Sequence, residues 1–366
     1  MEDLEARKQR LAELTGGDKA SPSGGRSKAD LARRRRRLSQ TAGLQTTQSR
    51  EKEVSVATSG TGGSLPTDRT YNLGKVTICY SCSTHPGNDP GGMQKTNQDS
   101  WLVRENFGEK NMILMGVYDG HGYEGEKISR TVVSKLPGFM TESKEFITGN
   151  LRDCFKYALP ACNKSLKNSG VIECSLSGST AVQALLYGDK SVLCANVGDS
   201  RAIVGVVESN GKTSVVELSH DHKPTNPEEQ ERIESSGGRV EPYMYEGEAI
   251  GPPRVWLRDE DTPGLCMSRS IGDSIAASVG VIADPDLVEH EFSPQDKYLV
   301  FMSDGIFEFI SNEEVIEFIH KHAQQGLSPR EVGKRLVKEA RKKWQEEEED
   351  VIDDCTALVA YLTVEA

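Results

Sequence analysis

The sequence lacks long apolar runs: no stretch approaches the roughly 18 to 20 apolar residues that a membrane-spanning helix needs. Its first ten residues are charged and contain no apolar core of a secretory leader. Basic residues are outnumbered, 44 Lys and Arg against 56 Asp and Glu, so the formal net charge is −12. Because nucleic-acid binding requires clustered basic side chains, we expect no nucleic-acid partner. Because long apolar runs and the apolar core of a leader are both lacking, we also expect no membrane partner and a cytoplasmic location.

Aromatic residues are absent from the first 70 positions, which are rich in Gly, Ser, Thr and charge. This segment holds 14 basic and 9 acidic residues, a net charge of +5, whereas residues 71–366 hold 30 basic and 47 acidic residues, a net charge of −17. A segment of this composition cannot bury enough apolar surface to offset its chain entropy. We therefore predict a disordered basic arm over residues 1–70 and one folded domain over residues 71–366.

The arm contains five consecutive arginines, Arg33 to Arg37, followed closely by Ser39. One interpretation is a nuclear-localisation or polyanion-binding signal. Another is a regulatory phosphorylation site at Ser39, since arginines two and three residues earlier suit basophilic kinases. A solvated charge run without a specific partner is the third interpretation, and the sequence leaves all three open.

The eight cysteines are spread along the chain without the density of a disulfide framework. Cys79 and Cys82 have the C-x-x-C spacing, but no second pair completes a zinc site. No cysteine is followed six positions later by arginine, as a cysteine-phosphatase loop requires. We therefore expect free, structural thiols.

Short apolar runs alternate with helical segments from Tyr71 onward. Strands are predicted at residues 76–82, 100–104, 112–118, 191–197, 202–207, 214–218, 297–302 and 356–363. Helices are predicted at residues 124–136, at 151–168, at 227–235 after an Asn-Pro cap, and from the capping box at Ser328 toward Trp344. Several strands lie only a few residues apart and must pair antiparallel, so we expect antiparallel sheets with helices on their outer faces.

Carboxylates stand at the ends of several predicted strands. Asp119, Asp199 and Asp304 each follow an apolar run and lie beside a glycine, and Asp353 precedes the last run. In an antiparallel sheet the start of one strand lies beside the end of its neighbour, so all four can share one rim. Like charges gathered there require a cation, and oxygen ligands without a Cys or His cage suit Mg²⁺ or Mn²⁺.

Such a rim has a defined chemistry. Two divalent ions clamp a phosphoryl group and lower the pKa of a bridging water to about 7, which supplies a nucleophile without a protein side chain. The glycine at position 120 permits close approach, so its carbonyl oxygen can also face a metal ion. His121, two residues after Asp119, is the candidate proton donor to the leaving oxygen.

The motifs that carry these residues resemble, in the same order, those of metal-dependent type 2C protein phosphatases. The resemblance extends over about residues 73–363. Its motifs are Val117–Gly122, Ser177–Ala181, Ala195–Arg201, Met267–Asp273, Met302–Gly305 and Asp353–Thr356, and Asp221–Thr225 is also similar.

The resemblance implies an α+β fold, a four-layer α/β/β/α sandwich in which two antiparallel sheets pack face to face between flanking helices. It implies a catalytic domain over residues 71–366 with a flap segment at about residues 222–258. The implied activity is hydrolysis of phosphoserine and phosphothreonine in proteins by a metal-activated water. Phosphorylated proteins are the implied partners, and we expect a monomer.

The resemblance also implies roles for individual residues. Asp119 bridges two Mg²⁺ or Mn²⁺ ions, the Gly120 carbonyl binds one of them, and Asp304 and Asp353 bind the other. Asp99 holds metal-bound water, and Asp199 and Glu308 match positions linked to a weaker third ion. His121 matches the proposed general acid.

Three positions differ from many members of that family. Gln98 stands where many have Glu, which removes one charge near the second metal. Lys95 is the nearest basic residue to the place where many have an arginine for the substrate phosphate, so Lys95 is the candidate phosphate-binding residue. Glu308 replaces the usual Asp and lengthens the reach of that carboxylate.

Two other functions are compatible with the same pattern. The alternative from a different class is a catalytically silent module that keeps the fold and binds phosphoproteins. A hydrolase of small phosphoesters would have the same core and a different flap.

Overall fold

The computed structural model describes residues 59–61 and 63–365. The predicted arm, including Arg33 to Arg37 and Ser39, lies outside the described residues as far as residue 58. The described strands are β1 (Ser59–Thr61), β2 (Arg69–Leu73), β3 (Val76–His85), β4 (Ser100–Glu105), β5 (Ile113–Tyr118), β6 (Gly120–His121), β7 (Gly178–Ser179), β8 (Ala181–Tyr187), β9 (Ser191–Val197), β10 (Arg201–Val207), β11 (Thr213–Glu217), β12 (Gly238–Tyr245), β13 (Glu248–Leu257), β14 (Glu260–Leu265), β15 (Ile271–Gly272), β16 (Asp286–Glu291), β17 (Asp296–Met302) and β18 (Cys355–Val364).

The described α-helices are α1 (Gly125–Thr141), α2 (Lys144–Ile147), α3 (Leu151–Ser169), α4 (Pro227–Ser235), α5 (Ser274–Ala277), α6 (Asp304–Phe307), α7 (Asn312–Ala323) and α8 (Pro329–Glu348). A 3₁₀ turn spans Phe107–Glu109.

Two six-stranded antiparallel sheets form the centre of the fold. The first has the order β1-β4-β5-β8-β9-β16, and the second has the order β11-β10-β17-β18-β3-β2. The side chains that face each other between the sheets form one buried core. A further core lies between each sheet and its outer helices. The predicted four-layer sandwich is confirmed.

Strand β18 shows why these residues form a central strand. Its side chains alternate between two cores: Leu358 packs between the sheets, whereas Ala357 and Val359 face the outer helical layer. Leu358 pairs with Phe301 on one side and with Cys82 on the other. A strand that is buried on both faces reads as a nearly continuous apolar run, which explains why sequence alone identified it.

Helix α8 forms where the capping box predicted it. The Ser328 hydroxyl accepts a hydrogen bond from the Glu331 amide, and the Glu331 carboxylate accepts one from the Ser328 amide. The far end of the helix buries Trp344, whose indole Nε1 donates to the Gly305 carbonyl at 2.8 Å. The outer helical layer therefore contacts the turn that begins at Asp304.

The predicted boundary at residues 70/71 is wrong in detail, because it falls inside β2. Residues before it already pack on the domain: the Trp101 indole donates to the Gly63 carbonyl, and the Leu65 amide donates to the Cys82 carbonyl. The Asp68 carboxylate accepts a hydrogen bond from the Arg330 amide. These contacts use mainly backbone groups, which composition does not reveal.

Several elements were not predicted from the sequence. Strand β8 contains a polar residue, Gln183, which is buried and accepts a hydrogen bond from the Tyr118 hydroxyl at 2.7 Å. Strand β16 is an edge strand with charged residues. Helix α7 is highly charged and begins at a second capping box, Ser311 with Glu314.

The segment predicted as a flap, residues 222–258, belongs to a substructure that extends further. It comprises α4 and a three-stranded antiparallel sheet in the order β12-β13-β14, so it continues to Leu265. A small core that includes Ile233, Val255 and Leu265 joins the helix to this sheet. The sheet therefore has its own apolar support.

All eight cysteines are free. Within the described part of the chain, no helix combines the length and the apolar composition needed to cross a bilayer.

Candidate active site

Carboxylates from both central sheets meet at one edge of the sandwich. Asp99 precedes β4, Asp119 follows β5, Asp199 follows β9, Asp304 begins α6 one residue beyond the end of β17, and Asp353 and Asp354 precede β18. We call these six residues the acidic cluster. Antiparallel pairing brings strand starts and strand ends together, as the sequence predicted.

The electrostatics of Asp119 show this convergence. Burial raises the pKa of its carboxyl well above the ordinary value, and so do the nearby charges of Asp99, Asp304, Asp353 and Asp199. Burial and the charges of Asp353, Asp199 and Glu308 likewise raise the pKa of Asp304 well above the ordinary value. The five predicted aspartates therefore repel one another at one place.

Two members of the acidic cluster each have one carboxylate oxygen without a hydrogen-bond partner in the described part of the chain. Asp99 is 2% exposed; its Oδ2 accepts a hydrogen bond from the Ser303 hydroxyl at 2.7 Å. Among the described residues, Asp99 Oδ1 and Asp304 Oδ1 are buried and have no hydrogen-bond partner. Burial and the charge of Asp354 raise the pKa of Asp99 to about 7. Unpartnered buried carboxylate oxygens are costly, and hard divalent cations are the partners that suit them.

Asp354 has a different function from its neighbour Asp353. Its two carboxylate oxygens accept hydrogen bonds from the Gly87 amide at 2.7 Å and from the Gln98 amide at 2.9 Å. These bonds fix the loop before β4 against the start of β18. Asp354 is therefore a structural carboxylate, and Asp353 is the more accessible of the two.

Gly120 allows the chain to close tightly behind Asp119. A Cβ at this position would lie 2.3 Å from the Gly125 carbonyl oxygen and 2.7 Å from the Gln98 carbonyl oxygen. Any side chain would push the strand end away from its neighbours.

The donor set of hard oxygens and this close packing fit Mg²⁺ or Mn²⁺. In residues 59–61 and 63–365, however, no three Asp, Glu, His or Cys side chains are already closed around one point.

Lysine side chains supply positive charge to this site. Lys95 Nζ lies 2.6 Å from Asp353 Oδ1 and 3.3 Å from Asp354 Oδ2. Burial opposes the charge of Lys95, but the two carboxylates outweigh burial and raise its pKa well above the ordinary value. The predicted phosphate-binding residue thus lies in the site, paired with a predicted metal ligand.

A second lysine, Lys223, was not predicted. Its Nζ lies 2.6 Å from Asp199 Oδ2 and 3.9 Å from Asp221 Oδ2. The signal available in the sequence was the motif Asp221–Thr225, but nothing in that motif indicates that its lysine reaches a carboxylate 24 residues earlier.

His121 is held by a carboxylate that the sequence analysis did not single out. Its Nε2 lies 2.7 Å from Asp273 Oδ2, and the Ser270 hydroxyl donates to the same oxygen. Burial opposes the charged imidazolium, but Asp273 outweighs burial and raises the pKa of His121. Asp273 is 2% exposed and adopts a left-handed backbone conformation with φ of 42°.

Two further predicted residues occupy the margins of the site. Glu308 is exposed on the turn after α6, and its charge acts on Asp304. Gln98 donates from its side-chain amide to the Gly122 carbonyl at 2.7 Å. Gln98 therefore supports the turn that carries His121.

The model of the family described as Protein phosphatase 2C matches residues 85–348. A probable protein phosphatase 2C 72 of Arabidopsis thaliana is 34% identical over 281 residues, which cover 74% of this chain and 83% of that protein. A probable protein phosphatase 2C 61 of the same plant is 36% identical over 244 residues, 66% of this chain and 74% of that protein. The chain belongs to the protein phosphatase 2C family.

The fold agrees with this assignment. The crystal structure of a serine-threonine phosphatase 2C from Toxoplasma gondii has a TM-score of 0.67 to this chain at 21% identity, and the match covers 81% of this chain and all of the other. The protein is thus a serine/threonine protein phosphatase, and phosphoproteins are its class of substrate.

Proposed function

We propose that this protein hydrolyses phosphoserine and phosphothreonine in proteins with two Mg²⁺ or Mn²⁺ ions held by the acidic cluster. The observation that carries the proposal is the convergence of buried and partly buried carboxylates on Asp119, with unpartnered oxygens on Asp99 and Asp304. Family membership supports the phosphatase reaction. The metal dependence follows from the chemistry of the donor set.

Within the site, some groups would bind the ions directly and another would orient water. Asp119, the Gly120 carbonyl, Asp304 and Asp353 would hold the ions, and Asp99 would orient water beside them. Two divalent ions at such a site supply positive charge that clamps a phosphoryl group and makes a water molecule a nucleophile near neutral pH. Their combined charge would offset four carboxylates, which removes the repulsion that raises the pKa of Asp119 and Asp304.

Lys95 and His121 would act on the substrate rather than on the ions. Lys95 Nζ, which lies 2.6 Å from Asp353 Oδ1, would offer a point charge to the phosphoryl oxygens. His121, oriented by Asp273, would donate a proton to the serine or threonine oxygen as it leaves.

The decisive test is hydrolysis of a phosphothreonine peptide in Mn²⁺ and in chelator, with the wild-type chain and with Asp304→Asn. We expect activity in Mn²⁺ and none in chelator. Asp304→Asn should lower kcat by at least about 100-fold, because it removes a holder of the ions. The matched control is Asp189→Asn, which changes an exposed aspartate on the turn between β8 and β9. Equal turnover in Mn²⁺ and chelator would overturn the proposal.

A further inference from the structure

The position expected to bind a weaker third ion is occupied by a side chain of the protein itself. Asp199 is 2% exposed, and Lys223 Nζ lies 2.6 Å from its Oδ2. Glu308, the other residue predicted for this ion, is exposed to solvent. The donor set expected for a third ion is therefore divided between a buried aspartate that is paired with a partly exposed lysine and an exposed glutamate.

We propose that Lys223 is a built-in cation of the active site, which takes the place of a third divalent ion at Asp199. The inference rests on the metal dependence proposed above, but it concerns the number of ions that the chain binds. Its basis is the contact between Lys223 and Asp199 and the way in which the chain fixes that contact.

The backbone next to Lys223 is anchored to the turn that carries Asp199. His222 is 2% exposed; its amide donates to the Gly198 carbonyl at 3.0 Å, and its Nδ1 accepts from the Gly198 amide at 3.0 Å. The His222 carbonyl accepts a hydrogen bond from the Ser268 amide at 2.8 Å. These hydrogen bonds fix the position of the backbone at His222, and therefore the position from which the Lys223 side chain reaches Asp199.

The other nitrogen of His222 extends this anchoring to the edge strand β16. His222 Nε2 lies 3.1 Å from Asp286 Oδ2, and Asp286 also accepts a hydrogen bond from Arg269 at 2.8 Å. Arg269 in turn pairs with the buried Glu229 of α4. The segment that presents Lys223 is thus tied both to a central sheet and to the flap helix.

The charge of Lys223 acts on the rest of the site. It opposes the repulsion that raises the pKa of Asp304, and Asp199 is among the charges that act on Asp119. A divalent ion bound to Asp199 would lie within a few ångströms of the ammonium group, where like charges repel strongly. A third ion at Asp199 must therefore displace Lys223.

The number of bound ions tests this inference without reference to catalysis. Mn²⁺ binding to the full chain is counted by electron paramagnetic resonance of the free ion, up to millimolar Mn²⁺. Lys223→Met keeps the length of the side chain and removes its charge. We expect this variant to bind one more Mn²⁺ than the wild type. Any Mn²⁺ that the wild type binds at Asp199 should bind more weakly than in the variant by on the order of tenfold or more.

Three matched variants assign the added ion. Lys223→Arg keeps the charge and should bind the same number as the wild type. Lys223→Met combined with Asp199→Asn should lose the added ion, because its carboxylate is gone. Lys212→Met, on the exposed hairpin between β10 and β11, should leave the count unchanged.

The inference is overturned if the wild type and Lys223→Met bind equal numbers of Mn²⁺ with equal affinity. It is also overturned if the added ion survives Asp199→Asn. Circular dichroism checks that each variant is folded, and Lys223→Gln carries the same expectation if Lys223→Met is not. A wild type that binds fewer than two ions would contradict the two-metal function, while the difference between wild type and variant would still decide the role of Lys223.

Discussion

His121 Nε2 and Asp273 Oδ2 lie 2.7 Å apart, although 152 residues separate them in the sequence. The Asp273 carboxylate is almost completely buried and also accepts a hydrogen bond from Ser270. A histidine held in this way has one ring nitrogen committed to the carboxylate, so the orientation of the other is fixed. Asp273 is therefore a positioning residue for His121.

The loss of activity caused by Asp273→Asn should depend on the leaving group of the substrate. An alkoxide from phosphothreonine needs a proton as it leaves, whereas the phenolate from p-nitrophenyl phosphate does not. We expect kcat on a phosphothreonine peptide to fall roughly 10- to 100-fold and kcat on the aryl phosphate to change much less. Steady-state kinetics on both substrates, at saturating Mn²⁺, measures the two effects.

The control for this variant is Asp284→Asn, an exposed aspartate in the same part of the chain. It should leave both substrates unaffected. An equal loss on peptide and aryl phosphate would mean that Asp273 maintains the fold of the site rather than the orientation of His121.

Gly178→Ala should disturb the same contact from the side. A Cβ at this position would lie 2.0 Å from Asp273 Oδ2, 2.6 Å from Ser270 Oγ and 2.7 Å from His121 Nε2. These atoms must move apart, so the free energy of unfolding should fall by about 1–3 kcal/mol. Activity on the phosphothreonine peptide should fall as well. Urea unfolding and peptide hydrolysis are the two measurements.

Gly63→Ala is the matched control, since no atom lies within 4 Å of a Cβ built there. It should change neither stability nor activity appreciably. Wild-type behaviour of Gly178→Ala would contradict the tight packing around His121.

Glu229→Gln should alter the acid stability of the protein. The Glu229 carboxylate is buried, and although burial opposes its charge, hydrogen bonds from Arg232, Arg269 and Ser268 hold its pKa well below the ordinary value of 4.5. A carboxyl with a lowered pKa stabilises the fold fully above its unfolded pKa, and this stabilisation is lost as the pH falls below about 4.5. At pH 7 the free energy of unfolding of the variant should be lower by about 3 kcal/mol, because the substitution leaves two partly buried arginines without their charged partner.

Urea unfolding from pH 7 to pH 3 tests this expectation. The difference between wild type and Glu229→Gln should shrink as the pH falls, and Glu228→Gln, an exposed neighbour, should match the wild type throughout. A difference that stays constant with pH would show that the charge of Glu229 does not stabilise the fold.

The architecture and the carboxylates were predictable from the sequence because both leave local patterns. Strand β18 is an apolar run, and Asp119 and Asp304 follow such runs beside glycines. The contacts of Lys223 with Asp199 and of His121 with Asp273 were not predictable, since they join residues on separate elements. Their existence depends on the packed geometry of the flap and the two sheets.

The start of the domain was misplaced for a similar reason. The Trp101 indole donates to the carbonyl of Gly63, an exposed residue that has no side chain to indicate this contact. Backbone acceptors are the same at every position, so composition cannot identify which of them will be used.

The hydrogen bond from Trp344 to the Gly305 carbonyl gives helix α8 a share in the active site. The carbonyl of Gly305, the residue after Asp304, is held from the outer helical layer by an indole about four turns along a helix that carries none of the cluster's carboxylates. Substitutions in helix α8 can therefore shift the position of Asp304 although every acidic residue of the cluster is retained.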